Sequence, residues 1–480
     1  MSRSPSPSAR RACAIIAFAA AILLPALSAT AQFGPRPTVI SNVRILSIDG
    51  EPIEAGTIVI RGGRIDQVTS GAVRLRGAQV IDGTGMTATP GLIDVDGALG
   101  LLGASWSDPT GMTFDAFDVF ATRHLEEAIG MGITSVYLGP SGFTGVGASG
   151  SIVRLVRGEG GAIGRPLRAQ SALHIDLASG ARALDRLTVL DRVRAQFRAA
   201  RGHGDALDRY EEELKVYLDA LAESSPAGGD EAGMSRDDPP PPPRPRGGRR
   251  PAPPSPPAEE PAPRTPERRA SSDGGPAKPE QPRANPGHDI LLKAMRKELP
   301  VRVRAHRSSD IFNAIDLAQE FSLRIIIEGG AEASLVAGPL ADRKIPVVMA
   351  PPPDRDLALN DLWRRYHADS PAVLAHAGVT VAMGSGDGPG QQSRFLLDRV
   401  ARFLGPHGSM FNPIEMVTAV AARIMGVERD IGRLAPGMFA DIVLWSGDPL
   451  DPSSRVMRTI VDGVVVFDRT RIEPVGGEEL

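Results

Sequence analysis

Apolar positions recur along this chain in two rhythms, and they divide it into parts. Between residues 38 and 88 they alternate in short runs broken by tight turns, as in Thr57-Ile58-Val59-Ile60-Arg61-Gly62-Gly63-Arg64-Ile65, which predicts a hairpin turning at the two glycines. The C-terminal end has the same character, in Ala440-Asp441-Ile442-Val443-Leu444-Trp445 and Arg458–Phe467. The two ends are expected to meet in one small composite β-sandwich domain, 38–88 with 432–470. Between them, 89–431 alternates short apolar strands with helical periodicity, the pattern of an α/β fold closed as a TIM-like (β/α)8 barrel. The expected strands are Gly91–Asp96, Ile133–Leu138, Ser151–Leu155, Leu167–Ile175, Val301–Ala305, Leu323–Glu328, Ile345–Ala350 and Val379–Gly384. Helices are expected over Asp115–Met131, Ala206–Ala222, Ser309–Glu320 and Pro413–Met425, the last opening on Asn412 as cap with Pro413 at the first helical position.

Two segments break this pattern. Residues 224–288 contain 19 Pro with Gly, Ser and mixed charge, so they bury too little apolar surface to offset ordering and read as a disordered insertion within the barrel. Such a tract is a tolerated surface loop or a docking site for a partner. Residues 1–31 read as an export signal: Arg3, Arg10 and Arg11 precede an apolar run from Ala12 to Leu27, and Ala29-Thr30-Ala31 is a small-x-small cleavage site. The run is short for a membrane span, so the expectation is an exported, periplasmic protein with no integral span after cleavage. Cleavage there takes three Arg and no acid, moving the formal charge from −3 to −6. It also removes Cys13, the sole cysteine, so disulfides, thiolate metal sites and a cysteine nucleophile are excluded from the mature chain. The acidic balance gives no electrostatic case for nucleic acid.

Four motifs carry a family resemblance. They are Ile58–Ile65 with Val80-Ile81-Asp82-Gly83-Thr84-Gly85, then Thr89-Pro90-Gly91-Leu92-Ile93-Asp94, then Pro300–Arg307, and finally Ile431–Trp445. In this order and spacing the chain resembles the amidohydrolase superfamily, most closely its imidazolonepropionase-like and prolidase-like branch. The resemblance implies hydrolysis of non-peptide or dipeptide C–N bonds by a metal-bound hydroxide at the C-terminal mouth of the barrel, with a carboxylate as general base. The metal-ligand histidines of that family fall here at Asp96, Ala98, Arg304 and Gly329. A metal needs several converging donors, and such replacements remove most of them. No cofactor is therefore expected, and the function expected is that of a catalytically silent homologue that binds a small amide or dipeptide, forms a homo-oligomer or pairs with an intact relative. The alternative is an active C–N hydrolase with a rebuilt site, with zinc or another divalent metal as cofactor. Catalytic candidates are Asp387, His306 and Arg304, and ligand-binding candidates are Asp96, His174 and Glu328. In the first reading the Arg304 guanidinium stands in for the metal charge, neutralised by Asp94, Asp96 and Asp387; otherwise it points to solvent. The Gly-rich stretch from Gly139 to Gly150 is expected to form a mobile loop at the mouth, since no Lys-Ser/Thr pair follows to make it a phosphate cradle.

Overall fold

The computed structural model describes residues 36–46, 48, 50–101, 106–178, 183–224, 277–350, 369–386, 396–404 and 412–471. The export signal, most of the Pro-rich segment and Asp387 lie outside them. Among the described residues, those up to 195 and from 289 onward make one compact unit, and those between 196 and 288 a second that includes most of the long helix Ala183–Ser224.

In the first unit, strands from both chain ends share one eight-stranded sheet. From the N-terminal side come β1 (Thr38–Ile45), β2 (Ile53–Arg61), β3 (Arg64–Ser70), β4 (Gln79–Asp82) and β5 (Thr87–Pro90). The other three, numbered after the barrel strands, are β14 (Ile442–Trp445), β15 (Val456–Val461) and β16 (Val464–Asp468). Their order is β16-β15-β14-β5-β1-β2-β3, with β4 beside β1. Alternation puts Ile40, Ile58, Ile60, Ala88, Ile442, Leu444 and Ile460 into one buried cluster. The seam between the chain ends is β5 against β14, Ile442 opposite Pro90 and Trp445 opposite Thr87.

The second sheet is the barrel: β6 (Leu92–Gly97), β7 (Ile133–Leu138), β8 (Gly145–Arg157), β9 (Ile163–Asp176), β10 (Val301–Ala305), β11 (Ile325–Gly329), β12 (Val347–Met349) and β13 (Val381–Met383). They are hydrogen-bonded in chain order. The ring is drawn together between β13 and β6, where the Gly386 amide donates to the Asp96 carbonyl at 2.8 Å. At Gly384 a Cβ would collide with the Asp96 backbone, so this closure requires glycine.

Each of the eight expected barrel strands has its counterpart, but the barrel is not uniformly parallel. β8 runs antiparallel to both β7 and β9. The reason lies in chain length: only residues 139–144 and 158–162 separate these strands, too few for the crossover that a parallel pair requires. The Gly-rich stretch is accordingly a loop only as far as residue 144, because Gly145–Gly150 opens β8. Its glycines allow close packing: a Cβ on Gly150 would meet the Tyr137 hydroxyl, and one on Gly147 the Phe143 ring.

Two expected helices are interrupted. Asp115–Met131 is a 3-10 turn, Thr113–Ala116, followed by a helix only from Thr122 to Gly130, because Phe117 is extended and pairs with Leu101. Pro413–Met425 splits into Pro413–Met416 and Ala419–Ile424 around a non-helical Thr418. Its cap is as read, the Asn412 side chain accepting from the Ile414 amide at 3.0 Å.

One buried ion pair ties barrel to sheet. Arg154 on β8 reaches Asp441, just before β14, through Nε at 2.9 Å and Nη2 at 2.6 Å. Asp441 also accepts from the Asp462 amide at 2.9 Å, and the Phe439 ring lies 3.7 Å from the Arg154 guanidinium carbon. The buried pair is fully hydrogen-bonded, so losing one partner strands a charge. Asp441→Ala is expected to destabilise the fold by about 3–5 kcal/mol in urea unfolding; a loss below about 1 kcal/mol would contradict this role.

Candidate functional site

The C-terminal ends of the parallel strands carry the polar residues of the barrel. β10 reads Val301-Arg302-Val303-Arg304-Ala305, and strand alternation puts both arginines on one face. Arg302 stands opposite His174 on β9, while Arg304 stands opposite Asp176 on β9 and Glu328 on β11. Arg302 is among the largest fully buried side chains of the protein.

Glu328 is the hub. Its Oε1 accepts from Arg304 Nη2 at 2.8 Å and Nε at 3.3 Å. Its Oε2 faces Arg302 Nη1 at 3.5 Å and His174 Nδ1 at 3.7 Å. Arg302 in turn donates through Nη2 to the Val95 carbonyl at 2.8 Å and stacks on Tyr137, its guanidinium carbon 3.7 Å from the ring centre. The Tyr137 hydroxyl closes the network on His174 Nε2 at 2.7 Å. Such a desolvated cation–π contact contributes about 2 kcal/mol.

Burial disfavours charge on each of these groups, and neighbours decide which keep it. Burial pushes His174 down to about 3, with Arg302 and Arg304 adding to the effect and Glu328 opposing it, so the ring is neutral at pH 7. Burial alone would raise Glu328, but its positive neighbours, His174 when protonated, Arg304 and Arg302, hold it lower, at about 2. With His174 uncharged at neutral pH, the two guanidiniums carry that role. Burial also drives the Tyr137 hydroxyl well above the ordinary phenol range. At neutral pH the centre of the network is therefore a carboxylate between two guanidiniums, with Tyr137 and His174 as neutral partners.

The candidates are only partly gathered here. Arg304, Glu328 and His174 share the network, and Asp96 borders it, its Oδ1 within 3.8 Å of where a Gly139 Cβ would stand while His174 Cε1 lies 3.4 Å from the same point. Asp94 does not neutralise Arg304 in the way the sequence led us to expect. Its Oδ1 accepts from the Ser385 amide at 2.9 Å and its Oδ2 from the Ser385 hydroxyl at 2.6 Å, so its work is to tie β6 to the end of β13. Nor does Arg304 simply point to solvent, since its side chain is 12% exposed and anchored on Glu328. His306 follows β10 with its ring against Gly329, and burial, helped by Arg304, lowers it to about 4. Arg302 and Tyr137 were missed by sequence reasoning. The period-2 pair Arg302/Arg304 inside an otherwise apolar strand was the available signal.

These residues do not fit a catalytic metal. Ala98 offers no donor and Gly329 no side chain. Gly329 has φ +91°, where any side chain is strained, and a Cβ there would collide with the His306 ring, so a histidine at that position would require His306 to move. The nitrogens of His174 face Tyr137 and Glu328, and a cation placed beside Glu328 would meet two guanidiniums. Among the described residues no cluster of three or more His, Cys, Asp or Glu is arranged to hold a metal ion.

The network predicts acid sensitivity. A neutral buried imidazole has a folded pKa below its unfolded value, so its contribution is complete above about 6.5 and is lost as pH falls toward the folded value. For His174 that window runs from about 6.5 to about 3, at up to about 1.4 kcal/mol per pH unit. His306, lowered to about 4, adds a loss of the same sign between about 6.5 and 4, and Glu328 adds one only below about 4.5. His174→Gln is expected to flatten the fall in melting temperature between pH 6.5 and 5; an unchanged slope in calorimetry would refute the assignment. Glu328→Gln, which leaves two buried guanidiniums uncompensated, is expected to cost about 3–5 kcal/mol in urea unfolding at pH 7.

Comparison with known proteins agrees with the fold. Residues 402–467 match the model of the Amidohydrolase family. An amidohydrolase from Thermotoga maritima MSB8 is 22% identical, with a TM-score of 0.65 over 90% of this chain and 100% of that one. A prolidase solved with N-methylphosphonate-L-proline is 18% identical, with a TM-score of 0.51 over 90% of this chain and all of the other. No curated protein matches the sequence. Four sequence motifs, a barrel with its added sheet, and a matched tail all agree: the chain is amidohydrolase-like.

Proposed function

We propose that this protein is an exported amidohydrolase-like binding protein that has given up metal-dependent hydrolysis. The observation that carries this reading is the Glu328 carboxylate held between Arg302 and Arg304 where the resemblance would put a metal. A guanidinium supplies positive charge and fixed donors, but it lowers no water pKa toward neutrality and cannot replace a Lewis acid. What remains is a polar mouth suited to recognition. Arg302 is 1% exposed and structural, whereas Arg304, anchored on Glu328 through Nε and Nη2, retains 12% exposure and so brings a positive charge to the mouth that would attract a carboxylate.

The ligand class this favours is a small amide or dipeptide with a free carboxylate. The prolidase above, whose fold is similar, was solved with a proline phosphonate, and a phosphonate offers oxygens of comparable charge. Export is supported by the basic, apolar and small-x-small order of residues 3–31, and no described helix is long and apolar enough to cross a membrane.

Elemental analysis of the purified full chain, joined to a dipeptide and amide panel with and without chelator, tests the reading. The expected result is zinc far below one per chain, no chelator-sensitive hydrolysis, and X-Pro dipeptide binding that Arg304→Ala weakens by about tenfold or more. Stoichiometric zinc with turnover abolished by chelation and restored by metal would overturn it.

A further inference from the structure

At the opposite end of the barrel from Arg304, the N-terminal ends of β10, β11 and β12 surround a cavity of about 580 Å³. That size lies within the range of small-molecule sites, roughly 300–1,000 Å³. Its floor is aliphatic: Ile315, Leu323, Ile325, Ile326, Ile345 and Ile424 line it and are all buried. Its rim is cationic: Lys297, Arg324, Arg343, Lys344 and Arg423 line the same cavity and are all exposed.

Five of the residues lining this one cavity are cations, in a chain whose formal charge is −3. None of the five makes an ion pair with an acidic side chain among the described residues. The single side-chain hydrogen bond in the group is Arg343 Nη1 to the Pro339 carbonyl at 3.2 Å. Collected like charges repel, so gathering them around one cavity costs energy that a bound anion would offset. Lys297 and Lys344 also occupy left-handed positions, φ 63° and 54°, a conformation that a lysine takes with some strain and that glycine would take at no cost.

We propose that this cavity binds an amphiphile with a phosphate head on a single aliphatic chain, head at the cationic rim and chain on the isoleucine floor. The chemistry on the page selects this class in two ways. Five cations suit a dianionic head better than a single carboxylate. A floor of branched aliphatic side chains, with no Phe, Tyr or Trp among the lining residues, offers no stacking surface for a nucleobase and suits an alkyl chain instead. The site is separate from the Arg304 mouth and does not depend on the function proposed for it.

Calorimetric titration of the full chain with monomeric decyl phosphate tests this. Inorganic phosphate serves as the head alone, decyl maltoside as the chain with an uncharged head, and phosphatidylglycerol vesicles as the membrane source of the same chemistry. One decyl phosphate per chain is expected, with binding weakened about tenfold or more by high salt and by the double variant Arg324→Ala/Lys344→Ala. Inorganic phosphate and decyl maltoside are expected to bind at least about tenfold more weakly. The substituted side chains are exposed, so the variant should melt with the parent; if it does not, Lys297→Gln/Arg343→Gln provides the same reading. Equal affinity for decyl maltoside, affinity unchanged in a folded double variant, or binding to vesicles without binding of the monomer would each overturn the proposal.

Discussion

A carboxylate held between two guanidiniums inside the barrel sets the terms for everything at its mouth. Arg302 and Arg304 project from one face of β10 and cannot be buried there without a counter-charge. Glu328 supplies it from the adjacent strand, and the register that puts Arg304 opposite Glu328 is what makes the pairing geometric rather than fortuitous. Once the charges are placed, the remaining lining follows. Tyr137 covers the face of Arg302, His174 stays neutral against Tyr137 and Glu328, and Gly150 leaves room for the tyrosine hydroxyl.

The same arrangement links architecture to chemistry. A barrel of this type positions functional groups at the ends of its strands, and here those ends are occupied by opposite charges set against one another, with Arg302 Nη1 and Glu328 Oε2 facing at 3.5 Å without a hydrogen bond. The outer frame is braced in a similar way: Arg154 and Asp441 form a second buried pair, this one bidentate, that joins the barrel to the sheet made from both chain ends. In both places a buried arginine with fixed carboxylate partners specifies a unique geometry, and in both the penalty for breaking the pair exceeds its net contribution when intact.

The strands of both sheets were legible in the sequence because each side chain is sorted to one face or the other with a period of two. Pro90-Gly91 marks the point where the sheet passes into the barrel, since a Cβ on Gly91 would collide with Thr134. Strand direction was not legible. The reversal of β8 depends on linker length, and its glycines read as loop because their close-packing role against Tyr137 and Phe143 requires the partner to be known. At the site, Arg304 and Glu328 were visible as departures from a motif. Arg302 and Tyr137 were not, because their role arises only when three strands align. The assignment of Asp94 to charge neutralisation failed for the same reason: its partner Ser385 lies at the far end of the barrel sequence, and only closure of the ring brings them together.

The most direct test is a crystal structure of the protein equilibrated with zinc at neutral pH, with anomalous scattering recorded at the zinc edge. The account predicts Arg304 bonded to Glu328, Arg302 stacked on Tyr137, and no anomalous peak at the barrel mouth. A zinc ion held by His174 and Glu328, with Arg304 swung away, would contradict it.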